Sequence, residues 1–98
     1  NRILKEETMR LICTPQLNEA QQATFYCSTG PGYTYGLGVR VRCDNQGHNG
    51  EFGWDGWAGT YVCCDPSENM ASLLFIQRTN AGTNQLTRRV KNVIYSAV

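Results

Sequence analysis

Tyr35-Gly36-Leu37-Gly38-Val39-Arg40-Val41-Arg42-Cys43 alternates in character, with Leu37, Val39, Val41 and Cys43 on one side and Arg40 and Arg42 on the other. A period of two is that of a strand with one buried face, so this stretch reads as strand and makes the chain partly β. Working outward, Asp44 to Gly50 (DNQGHNG) is a turn cluster, and Trp57 to Cys64 is a second extended stretch. Asp65-Pro66-Ser67-Glu68-Asn69 makes a tight connection, in which Asp65 before Pro66 acts as a turn former. Met70 to Gln77 (MASLLFIQ) follows as a third strand, apolar enough to be buried on both faces. The expected sheet is a three-stranded antiparallel meander with short loops.

Helices flank it. Residues Ile3 to Thr14 read as a short amphipathic helix with Leu4, Leu11 and Ile12 near one face, stopped by Pro15. Gln16 to Thr29 is polar and reads as loop, and Gly30-Pro31-Gly32 punctuates the chain before the strands. Thr79 to Asn84 is a polar loop whose Thr83 or Asn84 can cap a final helix. There Leu86, Val90, Val93, Ile94 and Ala97 mark one face at helical spacing, while Arg88, Arg89 and Lys91 lie towards the wet side. Helix, three strands, helix is an α+β order, and the last helix covers the sheet.

Composition bounds the function. Ninety-eight residues allow one domain, 1–98, with a thin core. A formal charge of +1 gives no electrostatic case for nucleic acid or an anionic membrane, and the longest purely apolar run, Leu73 to Ile76, is far too short to span a bilayer. Asn1 rather than Met at the start reads as a processed or excised piece. The five cysteines (13, 27, 43, 63, 64) include no Cys-x-x-Cys, so no metal or other cofactor is expected. Small core residues in a reducing compartment are favoured over a disulfide framework. His48, alone in a Gly/Asn-rich turn, reads as an exposed turn residue, and Tyr33 and Tyr35 as packing aromatics.

Phe52-Gly53-Trp54-Asp55-Gly56-Trp57-Ala58-Gly59-Thr60 is the unusual stretch. Glycine is costly inside a strand, so its density beside two tryptophans suggests that something approaches the backbone closely. A strand edge with open N–H and C=O groups can pair with an extended substrate or offer an oxyanion donor. A twisted hairpin with Trp54 and Trp57 as core plugs is the competing structural account.

Tyr35-Gly36-Leu37-Gly38-Val39, then Gly53 to Thr60, then Asp65-Pro66 with Asn69-Met70 and Gln77, resembles the C-terminal part of the class C β-lactamase and penicillin-binding serine hydrolases, including D-alanyl-D-alanine carboxypeptidases and esterases. The likeness runs from Arg2-Ile3-Leu4 through the last helix and implies a fragment of the β-lactamase/transpeptidase-like fold, the C-terminal piece of a larger hydrolase domain. It implies a nucleophilic Ser-x-x-Lys and a Tyr-containing motif upstream, and a Lys-Thr-Gly, His-x-Gly or Trp-x-Gly triplet on a sheet-edge strand. Trp54-Asp55-Gly56 stands where that triplet belongs. The resemblance then makes the backbone N–H of Trp57 an oxyanion donor, a group worth about 3–4 kcal/mol of barrier. Gly56 would leave room for the acyl group, Trp54 and Asp55 would border the substrate, and Trp57 to Gly59, Ala58 among them, would pair with its extended backbone. The implied partners are the N-terminal portion of the parent hydrolase and a small-molecule or peptide substrate.

Two departures qualify it. None of Ser28, Ser67, Ser72 and Ser96 has lysine three residues on, so this chain alone is expected to be inactive in acyl transfer. Trp54 also stands where a cation would hold a substrate carboxylate, which tilts the parent towards an esterase or another, uncharacterised hydrolase. A different class stays open: a free-standing binding module using the Gly/Trp-rich strands for carbohydrate or peptide.

Overall fold

The computed structural model describes residues 2–29, 32–43, 50–80 and 85–98. It is α+β, with three helices and a five-stranded antiparallel sheet in the order β1-β2-β3-β4-β5. The helices are α1 (Glu6–Ile12), α2 (Glu19–Thr29) and α3 (Gln85–Ser96). The strands are β1 (Tyr33–Tyr35), β2 (Arg40–Arg42), β3 (Phe52–Asp55), β4 (Tyr61–Asp65) and β5 (Met70–Leu74).

The meander is present, but with five strands where the sequence suggests three. The stretch 35–43 is a hairpin rather than one strand, because Gly36 N–H donates to Val39 C=O at 2.9 Å and reverses the chain. A side chain at Gly36 would place its Cβ 2.0 Å from the Ile12 carbonyl oxygen, and Leu37 N–H donates to that same oxygen at 2.9 Å. The glycine therefore lets the end of α1 lie against the hairpin. Likewise, residues 57–60 belong to a turn and not to the strand expected over 57–64.

The segment 16–29 holds a helix, α2, where a loop is expected. Its start is a reciprocal cap: Gln21 N–H donates to Asn18 Oδ1 at 2.9 Å, and Asn18 N–H to Gln21 Oε1 at 3.0 Å. The first helix is shorter than the expected 3–14 and carries an Arg10–Glu6 pair one turn apart.

The two sheet faces are covered unequally. On one, Thr34, Val41, Phe52, Cys64 and Ala71 form a cross-strand row. Its β1 end is closed by α2, where the Thr34 hydroxyl donates to Gln22 Oε1 at 2.6 Å. Farther across, Trp54, Val62 and Leu73 form a second row with no helix over it among the described residues, and all three are exposed. Residues 70–77 are accordingly not buried on both faces: Ala71, Leu73 and Phe75 are exposed and alternate with half-buried neighbours.

The other face carries α3, which presents Thr87, Lys91 and Tyr95 to the sheet. Leu86 and Val93 of the expected apolar stripe are exposed, whereas Lys91, expected on the wet side, is 11% exposed. The reason lies beneath the helix. Glu51 and Asp65 are buried carboxylates, and burying a charge without a partner costs several kcal/mol. Turning Lys91 and Tyr95 inward satisfies both. Arg40, also expected on the wet side, is only 4% exposed. The turn cluster at 44–49 with His48, residues 30–31, and the capping candidates Thr83 and Asn84 lie outside the described residues.

Candidate functional site

The turn after β3 is tightly closed. Gly56 N–H donates to Thr60 C=O at 2.7 Å, and Gly59 N–H to Gly56 C=O at 2.9 Å. Trp57 stands on this turn, 65% exposed, with its indole N–H donating to Asn80 Oδ1. Its backbone N–H has no hydrogen-bond partner among the described residues. The Ala58 carbonyl accepts Arg78 N–H at 2.9 Å, while its own N–H, like that of Trp57, has no partner among the described residues. Nor does Gly56 leave an empty space, since a Cβ there would fall 2.5 Å from Thr60 Oγ1. The glycine is required by the closeness of the turn itself.

Trp54 lies on the bare face, its ring edge-on to Tyr35 with centroids 5.6 Å apart. With Asp55, Gly56, Thr60, Tyr61, Val62, Leu73 and Phe75 it lines a shallow, mainly apolar groove of about 320 Å³. Asp55 is on the covered side, its carboxylate 3.5 Å from the guanidinium of the buried Arg40. The structure thus brings together the side chain of Trp54, Gly56 and an apolar strip of β4 and β5, with Trp57 next in the turn but not among the lining residues, and directs the Asp55 carboxylate to Arg40.

A second cluster, which the sequence does not announce, lies beneath α3. Lys91 Nζ donates to Glu51 Oε1 and to the Tyr33 hydroxyl, and sits 5.0 Å from the centre of the Tyr33 ring. The Tyr95 hydroxyl lies 2.8 Å from Asp65 Oδ2 and 3.0 Å from Glu51 Oε2, while Arg42 approaches Glu51 Oε2 at 3.8 Å. Burial pushes the Asp65 carboxyl up, but hydrogen bonds from the Ser67 hydroxyl, Tyr95 and the N–H groups of Glu68 and Ser67 outweigh it and hold it below the usual range. Three of those donors make Asp65 the turn former expected of it. Burial, followed by its bond to Asp65, pushes the Tyr95 phenol far up. Burial and the charge of Glu51 push the Cys63 thiol up, so it is a neutral core group at pH 7 rather than a nucleophile.

Cys13, Cys63 and Cys64 are free thiols. Among the described residues no three His, Cys, Asp or Glu side chains gather as a metal site, and no helix is long and apolar enough to cross a membrane. Neither the family models, the curated proteins nor the solved structures yield a match to this chain.

Proposed function

We propose that this chain forms the strand-and-turn wall of an acyl-transferring serine hydrolase site, with the nucleophile and its base supplied by a segment outside these 98 residues. The observation that carries the reading is the Trp57 N–H, unpartnered among the described residues and one residue past Gly56, which lines the apolar groove. In such a site the serine oxygen bonds to the substrate carbonyl carbon and the π pair moves onto the carbonyl oxygen. The Trp57 N–H donates to that oxyanion, and the serine proton goes to the external base. A fixed N–H aimed at developing charge stabilises the transition state more than the ground state. The apolar character of Trp54, and the engagement of Asp55 by Arg40, favour neutral esters over substrates bearing a carboxylate.

The test uses the protein extended upstream to include a Ser-x-x-Lys. Trp57→Pro removes the N–H and is expected to lower kcat on an aryl ester by about 10²–10³-fold, while Trp57→Ala keeps the N–H and most of the rate. Equal losses in both variants, or no Ser-x-x-Lys upstream, would sink the reading. The 98-residue chain alone is expected to show no stoichiometric acylation by a fluorophosphonate.

A second reading, a binding platform for carbohydrate or peptide, is favoured by one observation. Phe75, which lines the groove, is 77% exposed, and Trp57 on the turn after β3 is 65% exposed, and such faces stack on sugar rings. Titration of the tryptophan fluorescence with oligosaccharides and peptides separates the two readings.

A further inference from the structure

The two edges of the sheet are treated differently. At β1 the strand is three residues long and its outward carbonyls are occupied: Tyr33 C=O accepts Gln22 Nε2–H at 2.8 Å, and Tyr35 C=O accepts Gln16 N–H at 2.9 Å. At β5 none of this is found. Among the described residues, no backbone group of residues 70–77 bonds outside the β4–β5 ladder. The run Met70-Ala71-Ser72-Leu73-Leu74-Phe75-Ile76-Gln77 contains no charge, no proline and no glycine. Those are the devices by which sheet proteins block edge-to-edge pairing, and here they are missing from the β5 edge.

We infer that β5 pairs antiparallel with β5 of a second copy of this chain, across a two-fold axis perpendicular to the sheet, joining two five-stranded sheets into one of ten. The strand is suited to pairing with itself. It carries no like charges to oppose across the axis, and the whole chain is near neutral at +1. With the axis at Leu73, that residue faces its own copy, and the large Phe75 meets the small Ala71 on each side, all three being exposed on one face. The rows Trp54–Val62–Leu73 of both copies then run into one another as a single apolar strip. One strand pair is small against the roughly 1,200–2,000 Å² of a standard interface, so association depends on concentration.

Sedimentation of the 98-residue chain over a wide dilution series tests this. The mass is expected to rise from 11.0 kDa towards twice that value and stop there. Leu73→Lys, at an exposed edge position, should raise the dissociation constant at least about tenfold. Val62→Lys, exposed on the same face but one strand inward, should leave it within a few-fold. Far-UV circular dichroism establishes that both variants fold. Hydrogen exchange of the unaltered chain should protect amides of residues 70–76 only at high concentration. A mass of one chain at every concentration would overturn the inference, as would unlimited growth beyond two chains. Equal loss in both lysine variants would overturn it too, since that pattern belongs to stacking of the bare faces.

Discussion

At the scale of single residues, the most consequential group is the Tyr95 phenol, whose oxygen lies within hydrogen-bond distance of Asp65 Oδ2 and Glu51 Oε2 at once. Its donation is one of the bonds that hold the Asp65 carboxyl below its ordinary 3.8. A folded-state value below the unfolded one means that deprotonated Asp65 favours folding. That contribution is complete above the ordinary value and is lost as pH falls from there through the lower folded value. The chain is therefore expected to lose stability in urea as pH drops below about 4. Tyr95→Phe should cost about 1.5–3 kcal/mol at neutral pH, the range for hydrogen bonds to charged groups. It should also flatten the acid dependence, because Asp65 then titrates closer to its unfolded value. An unchanged acid slope in the variant would show that Tyr95 does not govern this carboxylate.

At the scale of elements, the close approach of α1 to the β1–β2 hairpin gives a sharp expectation. Gly36→Ala brings a methyl group onto the Ile12 carbonyl oxygen, at 2.0 Å before relaxation, so backbone must move. The expected cost is about 1–3 kcal/mol, the usual range for forcing extra atoms into a packed contact, with loss of exchange protection at Leu37 N–H, which bonds that oxygen. Asn18→Ala should weaken α2 by about 0.5–2 kcal/mol through its cap, read in the same urea experiment. These two residues also show how much of the fold could be read from the letters. The α+β order and the antiparallel meander follow from alternation at 39–41 and from the turn at 65–69, both local signals. Helix α2 was legible too, in Asn18-Glu19-Ala20-Gln21, but a polar helix has no apolar stripe and composition alone reads it as loop. The reversal at 36–39 was hidden because Leu37 and Val39 keep a strand-like alternation through the turn. The inward side of α3 could not be read at all. Apolar periodicity marks Leu86 and Val93, and only the positions of Glu51 and Asp65 in space reveal why Lys91 and Tyr95 turn inward. At the candidate site, glycine density at 53–59 announced a close backbone approach, whereas the occupation of the Gly56 space by Thr60 and of the Ala58 carbonyl by Arg78 are tertiary facts.

At the scale of the molecule, the two faces of the sheet carry different groups. The covered face, beneath α3, buries Glu51, Asp65, Arg40 and Lys91 beside Tyr61 and Cys63, while the other face, past Val41, shows Trp54, Val62, Leu73 and Phe75 to solvent. A contiguous apolar strip of this kind on a folded chain is suited to contact with substrate, ligand or protein. Edge pairing of two copies leaves the strip open, because the two-fold axis runs perpendicular to the sheet and extends the strip instead of covering it. The folded chain is accordingly expected to enhance anilinonaphthalene sulfonate fluorescence at neutral pH, at low and high protein concentration alike. Loose packing would give the same signal, so the cooperativity of urea unfolding and one variant must separate the causes. Leu73→Lys combined with Phe75→Lys should abolish most of the enhancement while the unfolding transition stays cooperative, since both side chains are exposed and contribute little to the core. If the dye signal survives the double substitution, it comes from elsewhere in the chain, and the bare face of β3–β5 is not the surface through which this protein acts.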